Sequence, residues 1–265
     1  MIGQVGLQSR IKQMIENDTF PRFSIIVGPK GSGKKTLLNE LFEGIYLEDN
    51  KVDSVRKMIE MVYKIGNQTF IMPDADTMSN AAKNALLKVI EECPNNNYFI
   101  MTLEDANNTL DTIRSRGAIF HMVPYTKNDL FEYGTTISND KQAIDYCIGI
   151  ADNPGEMNKL IEYGTLEFAD FISLVCNNID KTSLANAFKI GDKIALKNDA
   201  DGYDLKLFWK AFNKECMNRV KQNILYAGWS IVTSRHLSQL VIKSINKKML
   251  FDKWIMEIRD YGESY

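Results

Sequence analysis

Nine residues concentrate the chemistry this 265-residue chain can do: Gly28, Pro29, Lys30, Gly31, Ser32, Gly33, Lys34, Lys35 and Thr36. They follow the apolar run Phe23 to Val27 and precede a helical pattern from Leu37 to Leu41. A strand, a glycine-rich turn ending in Gly-Lys and then a helix form the setting of a phosphate-binding loop. The glycines let backbone N–H groups close around an anion, the helix N-terminus adds positive potential, and a lysine at the place of Lys34 reaches the outer phosphates. In that pattern the next residue is ordinarily Ser or Thr, whose hydroxyl holds Mg²⁺, yet here it is Lys35. Thr36 is no simple substitute, because one step along a helix turns a side chain by about 100°. The nine residues are therefore expected to hold ATP or ADP by its phosphates and to hold Mg²⁺ poorly.

The elements that must position this loop are legible around it. Val52, Val55, Ile59 and Val62 recur at helical spacing within Lys51 to Ile65, and Thr69 to Met72 forms a short apolar strand. Ser79 opens a helix through Glu92, with Ala82, Ala85, Leu86, Val89 and Ile90 on its apolar side, and Pro94 stops it. Tyr98 to Met101 and Ala118 to Met122 read as further strands. Such alternation predicts an α/β fold, a parallel sheet sandwiched by helices with its ligand at the carboxyl ends of the strands. Beyond Pro124 the pattern turns helical, interrupted at Asp152 to Gly155 and at Asn198 to Gly202. Three domains are expected: residues 1–125 around the loop, a small helical domain at 126–164, and an all-α domain at 165–265.

Composition sets the class. With 45% hydrophobic and 25% charged residues, the chain is globular and large enough for more than one domain, and a net charge of −2 argues against a strongly basic nucleic-acid binder. Cys93, Cys147, Cys176 and Cys216 are widely spaced, with no Cys-x-x-Cys pair, and read as reduced thiols of a cytosolic protein. No apolar run approaches the roughly 18 residues of a membrane span, so a soluble, cytoplasmic protein without a membrane partner is expected. His121 and His236 lack metal-ligand spacing and read as packed or surface residues. Trp209, Trp229 and Trp254 read as core or interface anchors, and Met58 and Met61 as core filling.

The ordered run from Asp74 to Met122 carries a family resemblance. Asn84-Ala85-Leu86-Leu87-Lys88, Glu91-Glu92, Phe99-Ile100-Met101-Thr102 and Ser115-Arg116-Gly117 resemble the AAA+ core of bacterial clamp-loader subunits, especially the delta-prime type of DNA polymerase III. Ile2-Gly3-Gln4 is similar to the family's opening box, and Gly202 to Phe208 and Leu250 to Arg259 to its collar helices. The resemblance implies an AAA+ nucleotide-binding domain, a helical lid and an oligomerising collar. It also implies partners: other clamp-loader subunits in a hetero-oligomer of pentameric-ring type, a sliding clamp, and primed DNA reached through the assembly.

The departures bear on mechanism. A working member carries Asp-Glu after its Walker B strand, the Asp supporting Mg²⁺ and the Glu polarising water. Here the ungapped match puts Pro73 and Asp74 there, and a shifted register makes Asp74 the metal-supporting residue and leaves Ala75 as the base. Glu104 stands where an Asn or Thr would face the γ-phosphate, with Thr102 as an alternative, and Asn158 stands for a second sensor Arg. The stretch between Thr36 and Thr69 is short and lacks Cys, so no zinc module is expected. Arg116 keeps the position of the trans-acting arginine finger, which enters a neighbour's ATP site, and Arg114 reads as a bystander. The expected function is that of a delta-prime-like subunit with little or no hydrolysis of its own. A motor-type ATPase recruiting Thr36 and Asp74, and a nucleotide-independent scaffold, are the alternatives.

Overall fold

The computed structural model describes residues 1–196, 202–240, 242 and 245–263, so Asn198 to Asp201 of the second turn-like stretch lie outside the described residues. Two compact units emerge, Met1–Glu132 with Asn153–Gly155, and Tyr133–Asp152 with Glu156–Tyr265.

In the first unit the chain runs α1 (Val5–Glu16), β1 (Phe23–Val27), α2 (Lys34–Leu41), β2 (Gly44–Tyr46), α3 (Val52–Lys64), β3 (Thr69–Met72), α4 (Asn80–Glu92), β4 (Tyr98–Leu103), α5 (Asp111–Arg114) and β5 (Ala118–His121). The strands form one parallel sheet in the order β2-β3-β4-β1-β5. Every residue of β1 is buried, as a strand covered on both faces requires, which explains why its sequence is a continuous apolar run without alternation. Phe23, Ile25 and Val27 point into a core closed by α3 and α4 through Val55, Met58, Val62, Leu86 and Val89. Ile26 turns to the opposite face, where Leu7 and Ile11 of α1 and Leu37 and Leu38 of α2 cover Ile71, Ile100 and Phe120. The expected parallel α/β sheet is thus present.

The helix punctuation follows from the predicted residues. Ser79 Oγ accepts from Ala82 N at 3.2 Å and starts α4. Cys93 adopts the left-handed conformation (φ 42°) at its end, immediately before Pro94. Three elements have no counterpart in the sequence reading, α1, the three-residue β2 and the four-residue α5, the last two being too short to show a period.

The second unit is helical apart from one short parallel pair, Ile194–Ala195 with Tyr203–Asp204. Helix α6 (Lys127–Ile137) begins in the first range and ends in the second, followed by α7 (Lys141–Ile148), α8 (Pro154–Glu162), α9 (Thr165–Asn178), α10 (Leu184–Phe188), α11 (Leu205–Arg219), α12 (Leu225–Gln239) and α13 (Lys247–Glu263). Trp209, Trp229 and Trp254 are buried as predicted, and Trp254 packs edge-on against Phe212 at 5.1 Å between centroids. Its indole N–H donates to Thr233 Oγ1 at 3.0 Å, so the ring is buried without an unmet donor. Met58 lies in the sheet core, whereas Met61 is 41% exposed on the outer side of α3, so core filling holds only for the former. All four cysteines are free, three of them buried. Among the described residues no helix is long and apolar enough to cross a membrane.

His236 is fully buried in this unit, with Nε2 3.1 Å from Glu257 Oε2 and its ring 5.7 Å from that of Trp209. Burial pushes the imidazole below its ordinary value; Glu257 opposes the shift, while Lys253 and Arg235 reinforce it. A depressed folded-state value means that the stabilisation is full above the unfolded value of about 6.5 and is lost as pH falls through the folded value. We expect the urea midpoint to drop between pH 7 and pH 5, and His236→Gln to flatten that part of the profile. Superimposable profiles for the two proteins would refute the assignment.

Candidate nucleotide site

The loop leaves β1 at a position set by the sheet. Gly28 N donates to Leu103 O at 3.0 Å, extending the β1–β4 ladder by one residue before the chain turns. Gly31 and Gly33 take φ of +84° and +86°, which L side chains rarely adopt. A Cβ on Gly31 would also lie 2.6 Å from Asn153 Oδ1 and 2.9 Å from Gly155 Cα, and Gly155 N donates to Gly31 O at 3.0 Å. Gly33 ends the loop as the residue before α2, and no side chain caps the helix. Its leading N–H groups are therefore available to an anion.

Lys34 is buried and its Nζ donates to Gly28 O at 2.6 Å and to Pro29 O at 3.2 Å, spanning the loop from inside. Burial pushes its ammonium below the ordinary lysine value, opposed by the charges of Asp74, Glu104 and Asp76. Ser32 Oγ is buried without a hydrogen-bond partner, an orphan polar group beside Gly28. Tyr125 OH donates to Ser32 O at 2.8 Å and braces the loop from the chain beyond β5. These features fit the phosphates of a nucleotide: two glycines at positive φ, an uncapped helix start, a buried lysine and an unpaired hydroxyl. Pro29, Lys30 and Thr36 are exposed along the same segment. Lys35 is exposed too, its ammonium 5.9 Å from the centre of the Tyr46 ring. Among the described residues no group of three or more His, Cys, Asp or Glu side chains could hold a metal ion.

Opposite the loop, β3 ends at Met72 because Pro73 has no N–H to extend a ladder. Asp74 follows in the left-handed conformation (φ 47°), which costs a non-glycine residue of order 1 kcal/mol. The turn is held from two sides. Asp74 N donates to Thr102 Oγ1 at 2.9 Å, and Asn50 Nδ2 donates to Pro73 O, Asp74 O and Thr77 Oγ1 at 3.2, 2.9 and 2.6 Å. Thr102 thus supports the Asp74 turn, and Glu104 N donates to Asp76 Oδ2 at 2.7 Å just beyond β4.

The family profile described as DNA polymerase III, delta subunit, matches residues 48–126, the stretch that contains this turn, α4, β4 and β5. The Replication factor C small subunit of Thermofilum pendens is 28% identical over 151 residues, 50% of this chain and 46% of that relative. The chain is a relative of clamp-loader AAA+ subunits. It spans about half the length of the curated relatives it matches. Among solved structures, a DNA polymerase III gamma subunit-related protein from Thermotoga maritima superposes with a TM-score of 0.50 at 16% identity, covering 96% of this chain and 98% of that one. The RuvB Holliday junction branch migration motor of the same organism gives 0.51 at 16% identity over 83% and 76% of the two chains. At such identities these two likenesses establish the AAA+ fold alone.

The clamp-loader resemblance directs attention to Arg116, which follows α5. Its Nη1 donates to Thr112 O at 2.7 Å, its Nη2 lies 3.5 Å from Glu91 Oε2, and the side chain remains 36% exposed. Arg114 is bound locally, to Asn107 Oδ1 and Asp111 Oδ1, each at 2.7 Å. Asn158 Oδ1 accepts from Tyr133 OH at 3.0 Å within the second unit. Sequence reasoning missed Asn50, Tyr125 and the contact of Asn153 and Gly155 with Gly31. Only the last had a signal, the Asp-Asn-Pro-Gly turn.

Gly31→Ala combines a positive φ with a backbone clash. We expect a loss of about 2 kcal/mol in the first unit's unfolding free energy, with nucleotide binding weakened, by urea titration and calorimetry. Lys35→Ala, at an exposed position, should leave stability within about 0.5 kcal/mol. Equal stabilities of the two variants would contradict the packing argument.

Proposed function

We propose that this chain is a delta-prime-like clamp-loader subunit. It holds a nucleotide with little or no hydrolysis, supplies Arg116 to a neighbouring subunit's ATP, and helps place a sliding clamp on primed DNA. In this reading residues 1–125 are the nucleotide domain, 126–164 the lid and 165–265 the collar that joins related subunits in a ring of pentameric type.

The observation that carries the reading is the Pro73-Asp74 turn. Hydrolysis needs a carboxylate to support the metal and a second to polarise water. Pro73 takes the first position and ends the strand, and Asp74 is one methylene shorter than the usual Glu. A bound nucleotide would supply the phosphoanhydride to be cleaved. Lys34, the α2 N-terminus and Ser32 would hold its phosphates, while Lys35 has no hydroxyl to offer a metal. Arg116, by contrast, is exposed and carries a planar fork of donors suited to charge on a transferred phosphate. Its link to Glu91 is a surface ion pair worth at most about 1 kcal/mol and is readily exchanged for a phosphate.

Two measurements test this. In the reconstituted assembly, Arg116→Ala should lower clamp- and DNA-stimulated ATPase while Arg114→Ala does not. An arginine finger is worth about 10³ to 10⁵ at one site, although the other sites of a ring mask part of the loss. Arg116→Lys should rescue little. Wild-type rates for Arg116→Ala would remove the trans-acting role.

In the isolated chain, Lys35→Thr and Pro73→Asp should each stay inactive, because groups that act as a unit are not additive. Only their combination with Asp74→Glu should yield turnover. A motor-like rate from either single variant would favour the ATPase reading instead.

A further inference from the structure

We propose that Asp74, Asp76 and Glu104 make the loop selective for a nucleoside diphosphate, admitting two phosphates and rejecting a third; this rests on the reading of Gly28 to Thr36 as a nucleotide loop. The sheet places the carboxylates. Val27 pairs with Leu103, so Glu104 stands one strand spacing, about 4.8 Å, from the first loop residue. Met72 pairs with Met101, so Asp74 stands at a similar height one strand further out. Backbone bonds hold both ends in place: Asp74 N to Thr102 Oγ1, Glu104 N to Asp76 Oδ2, and Asn50 across the Pro73-Asp74 turn. The charges of all three carboxylates act on Lys34, opposing the lowering of its ammonium by burial.

The inner part of the loop is cationic and polar, with Lys34, the uncapped start of α2 and the unbonded hydroxyl of Ser32. A phosphate pair fits there. A third phosphate extends toward the ends of β3 and β4, where the working pattern has a neutral Asn or Thr at the place of Glu104 and a metal ion that offsets its Asp-Glu pair. Here it meets Glu104 and Asp74. The hydroxyl that would bring a divalent cation into the gap is replaced by Lys35, whose ammonium lies over Tyr46. Uncompensated like charges at that range discriminate by about tenfold or more.

The test is calorimetric titration of the full chain with ADP and with ATP, each in EDTA and in Mg²⁺, for the natural protein, Glu104→Gln and Lys34→Ala. We expect ADP to bind at least about tenfold more tightly than ATP in both buffers. Glu104→Gln should tighten ATP by about fivefold and leave ADP within about twofold. Lys34→Ala should weaken both. Glu104 is exposed, and a thermal melt verifies that its variant folds; Asp74→Asn, expected to shift the ratio the same way, serves if it does not. Equal affinities for ADP and ATP, or ATP preference once Mg²⁺ is added, would overturn the diphosphate selectivity and leave the nucleotide reading standing. Failure of both nucleotides to bind, or ADP binding indifferent to Lys34→Ala, would overturn both.

Discussion

The hydrogen bond from Gly28 N to Leu103 O ties the chemistry to the fold. It is the last rung of the parallel β1–β4 ladder, and it fixes where the chain may begin to turn. Everything that faces the loop is placed by that register. Glu104 follows its acceptor directly, Thr102 precedes it on the same strand, and Thr102 in turn anchors the Asp74 turn at the end of β3. Pairing with β5 on the other side continues the ladder through Met122 N to Val27 O, and Tyr125 then reaches back to Ser32. A one-residue slip would exchange Ile26 with its neighbours between the two core faces, and both faces are filled with apolar side chains. The register is therefore set by burial, and the site inherits its precision.

The parts of this arrangement that burial dictates are legible in the sequence. Phe23 to Val27 reads as a strand because both of its faces are covered, and Ser79 to Glu92 reads as a helix because its cap, period and stop residues agree. Gly28 to Thr36 reads as a phosphate loop because its glycines and lysine occur between those two kinds of element. What escapes is polar and long-range. Asn50 lies 24 residues from Asp74 in a segment with no period, yet its amide holds the Pro73-Asp74 turn. Tyr125 lies 93 residues from Ser32. Such contacts depend on where loops meet after the sheet has formed, and neither propensity nor periodicity encodes them. Met61 shows the converse limit. Helical spacing assigns α3 an inner side, but whether a methionine at its margin is covered depends on the neighbouring helix.

The Asp74 turn and Arg116 are held by different hydrogen bonds. Asp74 depends on Pro73, Asn50 and Thr102, at the ends of β3 and β4. Arg116 depends on the segment between β4 and β5, where buried Lys83 donates to Asn108 O at 2.7 Å and Gly117 lies against β1. A Cβ at Gly117 would sit 2.7 Å from Ile25 and 2.9 Å from Phe23, so the absent side chain lets the turn press directly onto the central strand. A larger side chain at this position would have no room unless Ile25 and Phe23 moved.

The two supports share one apolar core, in which Met72, Ala75 and Met78 at the end of β3 pack with Phe23, Ile25 and Ile113, while their hydrogen bonds run to different partners, Thr102 for Asp74 and Thr112 for Arg116. The sheet contributes to both, through β1, whose loop carries Lys34 at one end and whose side chains seat Gly117 beneath it.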